Sequence, residues 1–227
     1  MKLDVFTLFP EAFEWFSSQR PVRNAVQSGS ELRFYNYRDT TPLGAGQVDD
    51  APYGGGAGMV LRVDVVDAAL QAAYPEAARP RVVVLGPAGR LLDDALVREL
   101  AIEPHLALLC GRYEGFDQRV HDHLADDEVS IGRYVLAGGE LAAMVLADAV
   151  IRKLPGALGS AESAVEESFS EALDEAPEYP HYTRPPLYKG WDVPDVLVSG
   201  DHERVREWRL QRSRERGEAL RGGSGQG

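Results

Sequence analysis

The sequence predicts an α/β protein with a parallel sheet, because three short apolar segments occur with a helical pattern between two of them. The segments are KLDVFTLF, RVVVLGP and HLALLCG, and each stops at glycine or proline, as buried strands do. Between the last two lies LLDDALVRELA, in which apolar residues recur every three to four positions and Asp93 or Asp94 can cap a helix. A strand, a helix and a second strand in this order imply parallel pairing.

A buried helix and a separate C-terminal part complete the predicted organisation. The run ELAAMVLADAVIRKL is apolar almost all round and stops at Pro155-Gly156, so we expect a helix buried against the sheet or a second subunit. The next stretch, GALGSAESAVEESFSEALDEAPEYP, has the small, acidic and proline residues of a linker. A small, mostly helical domain is expected after it. The predicted boundaries are 1–158, 159–167 for the linker, and 168–227.

Composition excludes several classes of protein. The 227 residues are 44% hydrophobic and 26% charged, as in an ordinary globular protein. Cys110 is the single cysteine, so we expect neither disulfides nor a thiolate zinc site, and a reducing cytoplasm is the expected location. No signal peptide and no apolar run of membrane-spanning length is found, so no membrane partner is expected.

The charge distribution bears on nucleic-acid binding. A net charge of −12 argues against it, because phosphate binding normally requires a basic face, and DNA is not an expected partner. However, the segment HERVREWRLQRSRER has six arginines against three glutamates. An acidic average therefore leaves room for a local basic patch.

Three glycine-rich segments are candidate binding loops: YGGGAGM, LGPAGR and VSIGRYVLAGGE. None contains the signature of a P-loop or of a dinucleotide-binding turn. Tight connections at strand ends are the alternative interpretation. Position favours binding for the last two, since ligands of open parallel sheets lie outside the carboxyl ends of the strands. Backbone groups exposed by glycine there suit an adenine edge.

Charged side chains after the third apolar segment also allow two interpretations. CGRYEGFDQRVHDHLADDE is either a solvated turn or part of a site. His121 and His123 could share one side of a strand and bind a metal, but no third ligand accompanies them, so surface positions are favoured. Arg152 could merely stabilise the end of the buried helix, and Glu166 and Glu167 could be linker charges. Local chemistry leaves these cases open.

Five motifs occur in order over nearly the whole chain: VDDAPYGGGAGM, LCGRYEGFDQRV, SIGRYVLAGGELAAM, the Ser-Phe pair of EESF, and HYTRPPLYKGWDVPDVLVSGDHERVREWR. Together they resemble the motifs of the bacterial tRNA (guanine-N1)-methyltransferases of the SPOUT superfamily. The resemblance implies a parallel sheet with a deep trefoil knot, an obligate homodimer and S-adenosylmethionine as methyl donor. The implied reaction is methyl transfer to N1 of the guanosine immediately 3′ of the anticodon, guanosine-37, where a guanosine precedes it.

The resemblance also assigns residues. Glu167 matches the family base, normally an aspartate, and Arg152 matches the arginine that stabilises charge at guanine O6; each pocket is completed by the partner's linker. The implied cofactor-binding residues are Leu85, Pro87, Gly111, Ile131, Gly132, Tyr134, Leu136, Gly138 and Gly139. The implied tRNA-binding residues are Asp49, Arg112, Glu114, Ser163, Tyr182 and Arg184. Mg²⁺ is a second candidate cofactor, and Glu114 is a candidate to position either this ion or the base.

Departures from the family pattern leave two alternatives. Glu167 replaces the aspartate of the family, Ala57 lies where the family often has proline, and the C-terminus is shorter than in many members. One alternative is a SPOUT methyltransferase that modifies another RNA position. The other is a catalytically inactive, S-adenosylmethionine-dependent RNA-binding module.

Overall fold

The computed structural model describes residues 1–75, 79–158 and 167–223. The chain divides into two compact units, 1–158 and 159–227, which we call the N-terminal and C-terminal units. Of the predicted linker, only Glu167 lies within the described residues, so its boundaries stay a prediction. Within the described ranges, no helix combines the length and the apolar character needed to cross a membrane.

The N-terminal unit contains both strands and helices, and they alternate from α3 to α6. The strands are β1 (Lys2–Thr7), β2 (Glu31–Asn36), β3 (Asp49–Asp50), β4 (Val60–Leu61), β5 (Arg81–Leu91), β6 (His105–Cys110) and β7 (Asp127–Ser130). The helices are α1 (Glu14–Ser18), α2 (Arg20–Gln27), α3 (Val63–Ala73), α4 (Asp94–Ala101), α5 (Gln118–His123) and α6 (Glu140–Arg152). Asp93 caps α4, because its side chain accepts a hydrogen bond of 2.8 Å from the Leu96 amide.

A five-stranded sheet in the order β2-β1-β6-β5-β7 forms the centre of this unit, and every pairing in it is parallel. Successive residues point to opposite faces, so Leu106 and Leu108 of β6 enter one core while Ala107 and Leu109 enter another. The first core includes α2, α4 and α6, and the second includes α3 and α5. The predicted parallel sheet with helices is confirmed, and both faces are covered, as parallel sheets require.

Two predictions about local structure were wrong. The segment LGPAGR does not end the strand, because β5 continues to Leu91. It leaves β6 after Leu85, and a register shift between Leu85 and Arg90 lets it pair again with β7, so glycine and proline lie in an irregular edge. The two histidines lie on helix α5 and not on a strand. Asp117 caps this short helix with a bond to the Arg119 amide, a signal that the sequence reading did not use.

The C-terminal unit contains a short hairpin and two helices. Its strands are β8 (Leu187–Tyr188) and β9 (Trp191–Asp192), and its helices are α7 (Asp195–Val198) and α8 (His202–Gly223). Leu173, Ala176 and Tyr179 are buried in this unit. Ser213 of α8 is also buried, and its hydroxyl donates to the Pro177 carbonyl at 2.8 Å. These contacts attach α8 to the segment that precedes the hairpin.

Candidate active site

A cavity of about 500 Å³ lies at the carboxyl ends of β6 and β7, beside the irregular part of β5. This is where open parallel sheets bind ligands, and the volume is that of a small-molecule site. The structure brings all nine predicted cofactor residues to its wall, although their cofactor role stays a prediction. They are Leu85, Pro87, Gly111, Ile131, Gly132, Tyr134, Leu136, Gly138 and Gly139.

One wall of the cavity is the segment 131–139, which we call the crossing loop because it runs against the end of β6. The Gly139 amide donates to the Gly111 carbonyl at 2.8 Å, and Gly138 forms a bridge with Arg112. A Cβ atom added at Gly139 would lie 2.8 Å from the Cys110 Cα and 2.9 Å from the Gly111 nitrogen. Only glycine allows the two backbones to approach this closely.

The guanidinium of Arg112 is held at the same wall by three contacts. Its Nε lies 3.0 Å from Oε2 of Glu140, its Nη1 donates to the Ala137 carbonyl at 3.4 Å, and its Cζ lies 4.4 Å from the centre of the Phe9 ring. Arg112 was expected to contact tRNA, and the structure shows it engaged with the crossing loop. Its predicted contact with tRNA stays a prediction.

Glu140 is a buried carboxylate that the sequence reading missed. It is the first residue of α6, only 4% exposed, and its Oε1 accepts a hydrogen bond of 2.8 Å from the Thr7 hydroxyl. The helix dipole also favours an acidic residue in the first turn of a helix. A signal that could have found it is a charge placed between two glycines and an otherwise apolar helix.

Burial keeps two nearby groups protonated. It raises the pKa of the Cys110 thiol well above its ordinary value, and the negative charge of Glu140 raises it further. The pKa of the buried Tyr37 phenol is raised by burial first, with Cys110 and Glu140 adding to the effect. Cys110 is therefore not a thiolate at neutral pH and is unsuited to nucleophilic catalysis.

Glu114 joins the cavity to the glycine-rich segment 53–59. It lines the cavity, its amide donates to the Met59 carbonyl at 2.9 Å, and a Cβ atom at Gly58 would lie 2.4 Å from its Oε1. Asp49 lies in β3, paired with Leu61, and is half-buried. In the part of the chain that the structure describes, no three His, Cys, Asp or Glu side chains form a group suited to a metal ion. Mg²⁺ therefore stays an expectation.

The cavity wall also contains a side-chain contact that the sequence reading did not predict. Nδ1 of His121 lies 3.2 Å from Oε2 of Glu128, and both residues line the cavity. His121 was expected on the surface, but it is half-buried, whereas His123 is exposed as expected. Hydrophobic periodicity is a weak signal in so short a helix, which explains the error.

The two predicted catalytic residues do not lie among the residues that line this cavity. Arg152 is exposed at the last position of α6, roughly 18 Å along the helix from Glu140 at 1.5 Å per residue. Glu167 is half-buried, and its carbonyl accepts a bond from the Ser170 amide at 3.1 Å. Ser163 lies outside the described residues, as does Glu166.

One face of α6 is exposed although most of the helix is buried. Leu141 is 61% exposed and Val145 48%, and Asp148 and Arg152 continue the same face at helical spacing. The opposite face packs on the sheet core through residues such as Leu146 and Val150. The exposed stripe is thus apolar in its first half and charged in its second.

The C-terminal unit exposes aromatic and basic side chains. The rings of Tyr182 and Trp208 lie 6.4 Å apart, and the Arg212 guanidinium lies 5.8 Å from the centre of Trp208. In the hairpin, the Tyr188 and Trp191 rings are 5.8 Å apart, and Trp191 is 70% exposed. Arg184, expected to contact tRNA, is exposed just before the hairpin.

Comparison with known proteins identifies similar sequences over almost the full length. The sequence matches the family described as tRNA (Guanine-1)-methyltransferase TrmD over residues 1–223. A tRNA (guanine-N(1)-)-methyltransferase of Brevibacillus brevis is 48% identical over 222 residues, which cover 97% of this chain and 90% of the relative. Relatives of the same name from Dehalococcoides mccartyi and Geobacter metallireducens are each 48% identical, covering 94% and 95% of this chain and 86% and 87% of those proteins.

Proposed function

The chain belongs to the tRNA (guanine-1)-methyltransferase family, and from this premise we propose that it methylates guanosine-37 of tRNA at N1. The methyl donor is S-adenosylmethionine, and the substrate is a tRNA with a guanosine before the target, which lies immediately 3′ of the anticodon. The observation that carries the proposal is the cavity at the carboxyl ends of β6 and β7, lined by the nine residues that the resemblance assigns to the cofactor.

The cavity suits S-adenosylmethionine because its walls offer backbone groups and apolar side chains. Its volume of about 500 Å³ falls within the range of small-molecule sites. A Cβ atom at Gly138 or Gly139 would meet neighbouring atoms closer than 3.0 Å, so the loop is shaped by the lack of side chains there. When bound, the cofactor supplies an electrophilic methyl group. The chain's own residues orient it and exclude water.

The reaction requires a base and a stabilising cation. Guanine N1 carries a proton and is a poor nucleophile, so a base must remove that proton as the methyl group is attacked. We assign this role to the Glu167 carboxylate. Negative charge then develops at O6, and a guanidinium placed beside it lowers the barrier, which is the role assigned to Arg152.

We propose further that two copies of the chain pair and share their sites. The exposed stripe on α6, with Leu141 and Val145, supports a surface that a second copy covers. Arg152 ends this stripe and is not among the cavity residues of its own chain. Pairing through α6 would bring Arg152 to the cavity of the partner, and the resemblance assigns Glu167 to the same cavity. Such an isologous dimer carries two equivalent sites.

The chain path supports the proposed trefoil knot. β7 lies at one edge of the sheet, and the crossing loop returns to the end of β6, where Gly139 bonds to Gly111. Helix α6 then packs beside α4, the helix that joins β5 to β6. A cytoplasmic location, where tRNA is modified, agrees with the single buried thiol.

The C-terminal unit is proposed to bind the tRNA. Tyr182, Arg184 and the arginines of α8 offer stacking and phosphate contacts, with Asp49 and Ser163 as candidates for contacting bases. These basic side chains form a local patch on a chain of net charge −12. We therefore expect binding to weaken steeply with salt and to depend on Mg²⁺ or polyamines that screen repulsion.

A methyl-transfer assay tests the proposal directly. Labelled S-adenosylmethionine is incubated with a tRNA transcript that has guanosines at positions 36 and 37, and with a control transcript in which only guanosine-37 is replaced. We expect label in the first transcript alone, recovered as N1-methylguanosine. Label at another nucleoside would favour a methyltransferase of a different position. Cofactor binding with no transfer would favour the inactive binding module.

Mixed dimers test the shared site. Gly138→Val damages the cavity and Glu167→Gln removes the base, so each variant alone is expected to be nearly inactive. After unfolding and refolding together, about half the dimers should be mixed, each with one intact site, so activity should recover to about a quarter of wild type. Size-exclusion chromatography must show dimers of both variants. No recovery from dimeric variants would mean that one chain supplies the whole site.

A further inference from the structure

Glu140 is a charged side chain that is buried next to the cavity without lining it. The residue is only 4% exposed, and its carboxylate accepts a hydrogen bond from the Thr7 hydroxyl at 2.8 Å and lies 3.0 Å from Nε of Arg112. Arg112 does line the cavity, through a side chain that is 29% exposed. The pair therefore connects the core of the N-terminal unit to the cavity wall.

Helix capping does not account for this arrangement. Glu140 is the first residue of α6, and its two carboxylate oxygens contact Thr7 and Arg112, neither of which belongs to that helix. Thr7 lies in β1 and Arg112 follows Gly111, so the Glu140 side chain joins two other segments of the fold. A buried carboxylate is costly unless it is paired, and an otherwise apolar helix could begin without one. The contacts point to a role at the cavity.

The ion pair of Arg112 and Glu140 lies directly against Gly138 of the crossing loop. A Cβ atom at Gly138 would lie 2.3 Å from the Arg112 Nε and 2.6 Å from the Glu140 Oε2, so the loop passes directly over the ion pair. The same guanidinium donates to the Ala137 carbonyl and lies over the Phe9 ring. Arg112 can fix the loop only while its own orientation is fixed, and Glu140 and Phe9 provide that.

We propose that Glu140 is a positioning residue for the cofactor cavity. Its buried charge orients Arg112, and Arg112 holds residues 137 and 138 of the crossing loop in the shape that binds S-adenosylmethionine. This inference rests on the proposed function of the cavity. It differs from a purely structural role because it requires cofactor affinity, and not only stability, to depend on the Glu140 charge.

The test compares Glu140→Gln with a matched control, Asp127→Asn. Asp127 pairs with Arg81 at 2.6 Å, is 24% exposed and does not line the cavity. Calorimetry with S-adenosylmethionine and thermal unfolding are measured on each dimeric full-length variant. We expect Glu140→Gln to weaken cofactor binding about tenfold or more, since small displacements in a site are costly. The KM for the cofactor should rise while kcat at saturation changes little.

The control separates affinity from stability. Asp127→Asn should lower the unfolding temperature while leaving cofactor affinity at the wild-type value. If Glu140→Gln behaves in the same way, with affinity unchanged, Glu140 only stabilises the fold and the proposal is wrong. If the wild-type protein does not bind S-adenosylmethionine, the proposed function has failed instead. The two failures are thus distinguishable.

A double variant covers the case in which Glu140→Gln does not fold. Arg112→Gln combined with Glu140→Gln removes both charges and leaves neither uncompensated, so stability should recover relative to either single change. Cofactor affinity should nevertheless stay about tenfold or more below wild type, because no guanidinium then holds residues 137 and 138 of the loop. Recovery of affinity together with stability would overturn the proposal.

Discussion

The cavity of the N-terminal unit and the surface of the C-terminal unit use opposite means to expose functional groups. At the cavity, a Cβ atom added at Gly139 would lie within 3 Å of neighbouring backbone atoms. The charged groups of Glu140 and Arg112 are paired with each other there. On the C-terminal unit, Trp191 and Arg184 extend into solvent. Adding atoms should therefore damage the first region most, whereas removing atoms should damage the second.

The largest effect is expected where atoms are added to the crossing loop. Gly138→Val places carbon atoms where Arg112 and Glu140 now lie, which should abolish measurable S-adenosylmethionine binding in a folded protein. Gly44→Val is the matched control, because a Cβ atom there meets nothing within 4 Å. Calorimetry and circular dichroism on both variants check this. Unchanged affinity in folded Gly138→Val would remove this loop from the site.

Glu167 is an expected exception to this difference between the units. It belongs to the C-terminal unit, yet Glu167→Gln should lower the methyl-transfer rate about a hundredfold, because it removes proton acceptance. Cofactor affinity should stay at its wild-type value. Single-turnover kinetics with saturating tRNA measure the rate, and Glu167→Asp, which keeps the carboxylate, should retain substantial activity. A normal rate for the glutamine variant would place the base elsewhere.

A smaller effect is expected from removing an exposed aromatic side chain. Trp191→Ala should weaken tRNA binding about tenfold, since stacking on one base contributes about 1–3 kcal/mol. Affinity for S-adenosylmethionine should not change. Filter binding at two salt concentrations checks this, and the salt dependence should be that of wild type because no charge is lost. Equal tRNA affinity would exclude the hairpin from the binding surface.

The smallest effect is expected from an ion pair of the N-terminal unit in which Arg119 is exposed and Asp117 is half-buried. It tests whether burial, and not the unit to which a charge belongs, decides how much that charge contributes. The hydrogen bond and charge of Arg119 lower the pKa of Asp117 below its usual 3.8. A lowered folded-state pKa contributes stability above about pH 3.8 that is lost as the pH falls further. Asp117→Asn should therefore cost less than about 1 kcal/mol at neutral pH, because Arg119 is exposed.

Denaturant unfolding at pH 7 and pH 3 measures this contribution. The difference between Asp117→Asn and wild type should shrink at the lower pH, while asparagine can still cap α5. A larger difference at pH 3 than at pH 7 would contradict the assigned sign. If the free energy of unfolding fell by several kcal/mol at pH 7, burial would not be what decides how much a charged side chain of this unit contributes to stability.

The sequence could predict features that rest on local patterns. Apolar segments located β1 and β6, Asp93 marked the start of α4, and the glycine loops pointed to the ends of the strands. Residues that the resemblance assigned to the cofactor lie around one cavity, because motif order and the parallel sheet together bring those loops to one edge. Such signals extend over several residues, so they survive errors at single positions.

Contacts between distant segments could not be predicted in this way. Glu140 bonds to Thr7, 133 residues away, and a glutamate at a helix start has a simpler local explanation. His121 contacts Glu128, and the helix α5 that carries His121 is too short for hydrophobic periodicity to show which of its sides is buried. β5 continues past Leu85 because its neighbour β7 accepts an irregular register, which the sequence of β5 alone does not contain.

The hydrogen bond from Gly139 to Gly111 restricts how a ligand can enter the cavity. Gly139 immediately precedes α6, and the Ala143 amide donates to its carbonyl at 2.8 Å. Swinging this end of the crossing loop outward would unwind the first turn of α6, whose inner face packs in the core. The middle of the loop is different, since Tyr134, Val135 and Leu136 are exposed. Entry and release should therefore proceed by movement of these three side chains while the Gly139 end of the loop stays in place.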